Sequence, residues 1–208
     1  MHKNTVFIFD LHNVLFAYDF VYMLKSMWAA PRKYRLLGAL LHREFYTLTY
    51  MLLKKRAVPE EWVVTFSEKI PICAPYRETG FSIVNAQKPI ISVIEITRTL
   101  KNQGYTVHIL SNIGVHAFAQ LKNRFPEFLS HFDGACVTCP ENQYRRKPHP
   151  DQFTDCFAPF IAQNKKIVFI DDSYKNCVAA QSAGATFIHA RSHKQLLSDI
   201  KKQLPNKI

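Results

Sequence analysis

The chain has 208 residues, of which 48% are hydrophobic and 21% are charged. This is the composition of a soluble globular protein, one domain or a core with an insertion, and it excludes a chain that is disordered over most of its length. The net charge of +11 favours attraction for anions such as phosphate esters. The basic residues are scattered rather than gathered in one patch, which argues against nucleic acid as a partner. We expect the last residues, 201–208, to be frayed.

Five cysteines and the lack of a signal peptide favour reduced thiols and a cytoplasmic protein. Cys136 and Cys139 form a single C-x-x-C pair, and without a second pair we interpret them as ordinary thiols of a strand or loop. His108, His116, His149 and His189 have no partner at metal-ligand spacing along the sequence, and we expect them to be packing or surface residues rather than ligands. No membrane span is predicted, because charged residues interrupt the most apolar stretch, 36–53.

The predicted elements follow in chain order. A buried strand over residues 6–9 is followed by three or four helices within 18–70, with Pro31 and Pro59 near the starts of two of them. Residues 71–88 are expected to be irregular. The rest of the chain alternates, with helices over 89–101, 116–124, 151–162 and 176–183, and strands over 105–110, 135–138, 166–170 and 186–189.

This alternation predicts an α/β fold, a Rossmann-like parallel sheet with helices on both faces. Residues 1–17 and 87–208 would form the core. Residues 18–86 would be an α-helical cap inserted between the first two strands, where a lid belongs. We expect the aromatic side chains of this cap to be mainly buried. The cap carries no motif that identifies a substrate, and the sequence carries no signal for oligomeric state.

Polar side chains follow the predicted strands at the carboxyl edge of the sheet, where ligands bind in such folds. Clustered carboxylates repel one another unless a cation lies among them, and oxygen ligands favour Mg²⁺. A carboxylate can also act as a nucleophile, while a lysine and a hydroxyl can stabilise phosphoryl oxygens. The residues concerned are Asp10, His12, Ser111, Asn112, Asp171 and Asp172, with Lys147 on a loop between strands.

Four segments of the chain resemble the motifs of the haloacid dehalogenase (HAD) superfamily, in that family's order and with similar spacing. The first strand and its end, FIFDLHNVLF, resemble the first motif, and HILSN resembles the second. RRKPHPDQF resembles the third, and VFIDDSYKNCVAAQSAGATFIH resembles the fourth together with the helix and strand after it. The resemblance covers about two-thirds of the chain, and it implies a HAD-like core with the helical cap between the first two motifs.

The resemblance implies a role for each matching residue. Asp10 would be the nucleophile and a Mg²⁺ ligand, and the backbone carbonyl of His12 a second ligand. Lys147 would stabilise the nucleophile and the transferred group. Asp172 would bind the metal directly, with Asp171 as a ligand or a water-mediated partner. Phosphate would be bound by Ser111, Asn112 and Lys147.

His12 departs from the family pattern, which has a second aspartate at this position. That aspartate protonates the leaving alcohol and then activates water, and a histidine can perform both steps. The leading hypothesis is a Mg²⁺-dependent phosphatase of a small phosphorylated metabolite, and a phosphomutase would share its first step. The alternatives are a metal-free 2-haloacid dehalogenase, which Asp171 and Asp172 argue against, and a catalytically weak HAD-fold binding or regulatory protein.

Overall fold

The computed structural model describes residues 4–30, 33–35, 38, 41–55, 59–143 and 145–204. Their chain divides into two compact units. Unit 1 contains Met1–Ala17 and Lys88–Ile208, and unit 2 contains Tyr18–Gln87. Among the described residues, no helix is both long and apolar enough to cross a membrane.

Unit 1 is built on a five-stranded sheet with the order β5-β4-β1-β6-β7, in which each neighbouring pair is parallel. The central strand is apolar throughout its buried part, as expected for a strand covered on both faces. A separate two-stranded sheet joins β2 and β3. The strands are β1 (Thr5–Phe9), β2 (Phe16–Tyr18), β3 (Gln87–Pro89), β4 (Thr106–Gly114), β5 (Gly134–Thr138), β6 (Lys166–Asp171) and β7 (Thr186–His189).

Each face of the five-stranded sheet has its own hydrophobic core, because successive side chains of a strand point to opposite faces. Phe7 and Phe9 belong to one core, and Val6 and Ile8 belong to the other. Helices cover both cores, α5, α6 and α10 on the first and α8 and α9 on the second. The helices of unit 1 are α5 (Ile91–Asn102), α6 (Val115–Arg124), α7 (Pro126–Leu129), α8 (Pro150–Ile161), α9 (Tyr174–Ser182) and α10 (His193–Lys202).

Unit 2 is helical in its described residues. Phe45 stacks on Phe66 with ring centroids 5.1 Å apart, and Trp62 packs against the same ring. Its α-helices are α1 (Phe20–Ala29), α2 (Arg43–Lys55), α3 (Pro59–Lys69) and α4 (Arg77–Val84), with short 3-10 helices at Lys33–Arg35 and Pro71–Tyr76.

The expectation that the aromatic residues of unit 2 are mainly buried is wrong. Five of the seven aromatic residues concerned are exposed, with Trp28 retaining 74% of its accessible surface. The physical reason is size, because a unit as small as residues 18–87 has too little interior to bury every apolar side chain. The exposed ones are Phe20, Tyr22, Trp28, Tyr46 and Tyr50.

Two other expectations, for residues 71–88 and for the end of β4, need correction. Residues 71–88 are not irregular, since they contain the second 3-10 helix, α4 and β3. Helix α4 packs closely against α3, since a Cβ at Gly80 of α4 would lie 2.9 Å from Val63 Cγ1 of α3. Strand β4 continues to Gly114 instead of ending near residue 110, with an irregular register against β5 after Leu110.

The C-terminal helix α10 was not expected, and residues 201–202 belong to it rather than to a frayed tail. Leu196 and Ile200, one helical turn apart, are buried against the first core, which holds the helix in place. Leu204 is buried as well, and residues 205–208 lie outside the described chain. Helix α3 begins at Pro59 as expected, whereas Pro31 lies outside the described residues.

Candidate active site

Asp10 lies directly after the central strand, at the carboxyl edge of the sheet. Its backbone N–H donates to the carbonyl of Ile170 on β6 at 2.8 Å, so the sheet holds its position. Its carboxylate is buried, and Oδ1 accepts a hydrogen bond from the Leu11 backbone N–H at 2.7 Å. A buried carboxylate in this place needs a compensating charge.

Lys147 supplies that charge from the loop before α8. Its Nζ is 2.9 Å from Asp10 Oδ1 and 2.6 Å from Asp171 Oδ2. Burial would lower the pKa of Lys147, but attraction by the two carboxylates outweighs it and raises that pKa. The lysine therefore stays protonated, a fixed cation between two buried acids.

The two buried acids, Asp10 and Asp171, differ in their surroundings. Burial raises the pKa of the Asp10 carboxyl to about 6; Lys147 opposes the rise and Asp171 adds to it. Asp171 is fully buried, and its oxygens accept hydrogen bonds from the Ser173 backbone N–H and from Asn176 Nδ2. These donors fix the Asp171 side chain in one orientation.

Asp10, Asp171 and Asp172 together form a group of oxygen donors. One carboxylate oxygen of each lies within 4.8 Å of the others. Carboxylates gathered this closely suit a hard cation such as Mg²⁺, which takes oxygen ligands. The residues present therefore fit the metal that the sequence predicts, with Asp10, Asp172 and Asp171 as the side chains that would hold it.

His12 lies on the turn that follows Asp10 and forms a bridge with Phe16. Its side chain is half-buried. Burial, and secondarily the positive charge of Lys147, lower its pKa to about 4, with Asp172 opposing. The unprotonated imidazole is therefore its form at neutral pH in the absence of metal.

Ser111 and Asn112 lie within β4 rather than beyond its end. The Ser111 hydroxyl is fully buried and has no hydrogen-bond partner among the described residues. The Asn112 amide contacts the backbone of Lys147 twice: its Nδ2 donates to the carbonyl at 3.0 Å, and its Oδ1 accepts from the N–H at 2.7 Å. The peptide between Lys147 and Pro148 is cis. Asn112 thus holds the lysine loop against β4.

A sequence model of the haloacid dehalogenase-like hydrolase family matches residues 5–184. The chain belongs to the haloacid dehalogenase-like hydrolases. The resemblance seen in the four sequence motifs is therefore confirmed, and the chain is a member of an enzyme family.

One curated relative is the sesquiterpene phosphatase astK of Aspergillus oryzae, which is 28% identical over 118 residues. The match covers 57% of this chain and 57% of that protein. The chain therefore matches little more than half the length of this curated relative.

Solved structures of HAD enzymes share the fold. A HAD family enzyme from Bacteroides thetaiotaomicron, in its magnesium complex, gives a TM-score of 0.62 at 19% identity over 93% of this chain and 98% of that one. The HAD-hydrolase YfnB from Bacillus subtilis, bound to magnesium, gives a TM-score of 0.61 at 14% identity, and the match covers 94% of this chain and 98% of that one. These likenesses confirm the α/β fold class.

Asn13 is a polar residue of the site of this HAD hydrolase that the sequence did not single out. Asn13 Nδ2 donates to Asp172 Oδ2 at 2.9 Å, which ties the turn after β1 to the turn after β6. Its backbone has a φ of 58°, a left-handed conformation that asparagine tolerates better than most residues. An asparagine three positions after the first aspartate was the available signal.

Proposed function

We propose that this HAD hydrolase is a Mg²⁺-dependent phosphatase that forms an aspartyl-phosphate on Asp10. The observation that carries the proposal is the buried Asp10 carboxylate, paired with Lys147 and grouped with Asp171 and Asp172. A fixed ammonium ion and a group of oxygen donors suit a substrate that carries a phosphoryl group. The phosphatase activity named for the curated relative supports the same reaction class.

In the proposed first step, Asp10 attacks phosphorus and the bond to the leaving oxygen breaks. Oδ1 of Asp10 already accepts hydrogen bonds from Leu11 and Lys147, so we assign the attack to Oδ2. Lys147 neutralises charge on the transferred group, and the unpartnered Ser111 hydroxyl supplies a donor to a phosphoryl oxygen. Bound Mg²⁺ would neutralise the remaining negative charge and orient the phosphoryl group.

In the second step, water attacks the aspartyl-phosphate, inorganic phosphate leaves and the Asp10 carboxylate returns. In this proposal the negative charge of the bound substrate raises the pKa of His12, so that its imidazole gives a proton to the leaving oxygen in the first step and takes one from the attacking water in the second. The backbone carbonyl of the same residue is the additional metal ligand that the family resemblance implies. Asn112 contributes by holding Lys147, beside its proposed contact with phosphate.

We propose an apolar organic group for the substrate and the role of a specificity cap for unit 2. Unit 2 contains a cavity of about 280 Å³ with a mostly apolar lining that includes Trp62, Phe66 and Ile83. The curated relative is named as a sesquiterpene phosphatase, and a sesquiterpene is a hydrocarbon in its skeleton. The comparison that tests this is kcat/KM for a prenyl monophosphate against kcat/KM for a sugar phosphate, with the prenyl compound expected to be favoured.

The first experiment is hydrolysis of an aryl phosphate with Mg²⁺ and with chelator, using Asp10→Asn as the blank. An aryl leaving group needs little protonation, so the first step in this assay does not require a proton from His12. We expect turnover that requires Mg²⁺ and is absent from the blank. Wild-type rates no higher than those of Asp10→Asn would overturn the proposal, and metal-independent halide release from a 2-haloacid would replace it with the dehalogenase.

His12 is tested separately by His12→Ala on alkyl and aryl phosphates. A residue that protonates the leaving oxygen matters more for an alkyl group, which leaves poorly as an anion. We therefore expect the substitution to reduce alkyl phosphate hydrolysis more than aryl phosphate hydrolysis. Equal losses on both substrates would restrict His12 to the water step, and no loss on either would remove it from the mechanism.

A further inference from the structure

A second group of metal-ligating side chains lies in unit 1, apart from the carboxylates. It consists of His108 on β4, Cys136 on β5 and Cys156 on α8. One ligand atom of each lies within 4.8 Å of the other two, and Cys136 Sγ is 3.6 Å from His108 Nε2. The three residues come from separate parts of the sequence, so only the fold brings them together.

The sheet register explains the grouping. Gly134 pairs with His108 and Cys136 pairs with Leu110, so the side chains of these residues point to the same face of the sheet. Helix α8 covers that face and carries Cys156 into its hydrophobic core. A Cβ at Gly134 would lie only 2.4 Å from His108 Cε1, so the imidazole rests on a position that only glycine leaves open.

Packing alone does not account for the imidazole at this place. His108 Nδ1 is buried and has no hydrogen-bond partner in the part of the chain that the structure describes. An unpaired buried polar atom costs about 1–3 kcal/mol, whereas an apolar ring would fill the same space without that cost. The other ring nitrogen, Nε2, lies 3.6 Å from Cys136 Sγ, and it is the nitrogen that faces this thiol and can serve as a ligand.

The two thiols are also prepared for coordination, since metals bind the thiolate. A hydrogen bond with the Cys156 thiol lowers the pKa of Cys136 to about 6; burial opposes this, and His108 adds to it. The same hydrogen bond, together with burial, raises the pKa of Cys156.

We propose that His108, Cys136 and Cys156 bind a thiophilic divalent cation of the zinc type. Zinc bonds of about 2.3 Å to sulfur and about 2.0–2.1 Å to nitrogen at a tetrahedral angle separate the two ligand atoms by about 3.5 Å. The separation of 3.6 Å between Cys136 Sγ and His108 Nε2 matches this geometry. Metal binding releases the thiol protons that the two sulfurs still carry.

The site differs in chemistry and composition from the two metal-site ideas that the sequence raised. Its nitrogen and sulfur donors select a softer ion than the oxygen donors of Asp10, Asp171 and Asp172. It uses Cys136 of the C-x-x-C pair but not Cys139, which is absent from the group of three. A cation here would join β5, the strand at one edge of the sheet, to β4 and α8. The inference does not rest on the proposed phosphatase activity.

The test is a titration of the reduced, chelator-treated full chain with Co²⁺, followed by near-ultraviolet absorption. Thiolate-to-cobalt charge transfer reports only sulfur ligands, so cobalt bound by the carboxylates gives no such band. We expect the band to saturate at one cobalt per chain and to disappear when zinc is added. Cys136→Ser and Cys156→Ser should each lose it, and the matched control Cys139→Ser should keep it.

No charge-transfer band in the wild type, or an unchanged band in Cys136→Ser, would overturn the proposal. Because the Cys156 variant could fail to fold, a second measurement uses the wild type alone. Zinc should slow alkylation of Cys136 at least about 10-fold while leaving the alkylation rate of Cys139 unchanged, since coordination removes the free thiolate. Equal alkylation rates at Cys136 with and without zinc would contradict the site.

Discussion

At the scale of single residues, the charge balance of the candidate active site depends on Lys147. Its ammonium group contacts both Asp10 and Asp171, and all three side chains are buried. An ion pair in such a place is costly to form but costlier to break, because removing one partner leaves uncompensated charge in the interior. The same cation is the group that would face a bound phosphoryl group.

We predict that Lys147→Met loses activity and stability together. Activity should fall at least about 100-fold, the usual loss on removing one charge-stabilising group. The free energy of unfolding should fall by about 3–5 kcal/mol at neutral pH in chelator, since two buried carboxylates lose their counterion. Urea denaturation and aryl phosphate turnover measure the two effects.

The matched control is Lys165→Met in the same unit. Lys165 is half-buried, and its Nζ donates to the Thr106 hydroxyl at 3.0 Å instead of pairing with a site carboxylate. We expect a stability change below about 1.5 kcal/mol, the value of one ordinary hydrogen bond, and unchanged turnover. Equal effects of the two substitutions would show that Lys147 has no special place in the charge balance.

Asn112 positions Lys147 through the backbone, and we predict that Asn112→Ala misplaces it. Both hydrogen bonds to the Lys147 peptide are lost, which should lower the free energy of unfolding by about 1–2 kcal/mol. A shift of the lysine by about 1 Å would lower kcat up to about 100-fold. Steady-state kinetics should show the loss in kcat, and the exposed Asn123→Ala on α6 should show none.

At the scale of elements, the strands of unit 1 follow closely from the sequence. Short apolar runs bounded by turn residues identified β1, β5, β6 and β7 to within about one residue, because buried parallel strands carry a continuous apolar pattern. Helices α4 and α10 were not predicted, although Ser192 caps the start of α10 and Leu196 and Ile200 give that helix a buried side. The hydrophobic period of a segment shows which of its sides is buried, but it does not show which distant elements cover that side.

The candidate site likewise has positions that the sequence predicted and contacts that it did not. The positions of Asp10, Asp171 and Asp172 at the carboxyl ends of strands followed from the pattern of the chain. The exchange of hydrogen bonds between Asn112 and Lys147 did not, and neither did the approach of His108 to Cys136 and Cys156. These contacts depend on strand register and on loop conformation, and a single sequence specifies neither.

The contact between His131 and Thr97 of helix α5 depends on pH. Its Nε2 lies 2.7 Å from the Thr97 hydroxyl, which donates to the carbonyl of Ile94, so the imidazole carries its proton on Nε2. Nδ1 is buried and has no hydrogen-bond partner among the described residues, so a second proton would find no acceptor there. Burial lowers the pKa of His131, and the nearby charges act on it as well: Arg98 and Lys101 lower it, and Glu95 and Asp133 oppose.

We predict that His131 makes the protein less stable as the pH falls below the ordinary histidine pKa of 6.5. A lowered folded-state pKa means that the unfolded chain binds more protons, so the stabilisation is complete above 6.5 and is lost as the pH falls toward the folded pKa. Between about pH 7.5 and about pH 5.5, Tm should fall less in His131→Gln than in the wild type. The exposed His149→Gln should behave as the wild type does, and an equal fall in His131→Gln would refute the assignment.

At the scale of the whole molecule, the two units differ in how they are stabilised. Both hydrophobic cores of unit 1 consist only of residues from unit 1, and its sheet includes strands from both sides of the insertion. Unit 2 leaves large apolar side chains such as Trp28 and Leu24 exposed. Unit 1 therefore has what an independent folding unit needs, which is a closed core and a complete sheet.

We predict that unit 1 folds without unit 2. Replacing residues 18–87 by a short Gly/Ser linker should leave the 138 residues of unit 1 and the linker, within the usual size of a single domain. Its thermal unfolding should remain cooperative, and its near-ultraviolet circular dichroism should keep the signal of fixed aromatic side chains. The full-length chain measured in the same buffer is the control. Helical far-ultraviolet signal without a near-ultraviolet signal would show a molten globule, and it would mean that unit 2 is needed to complete the core.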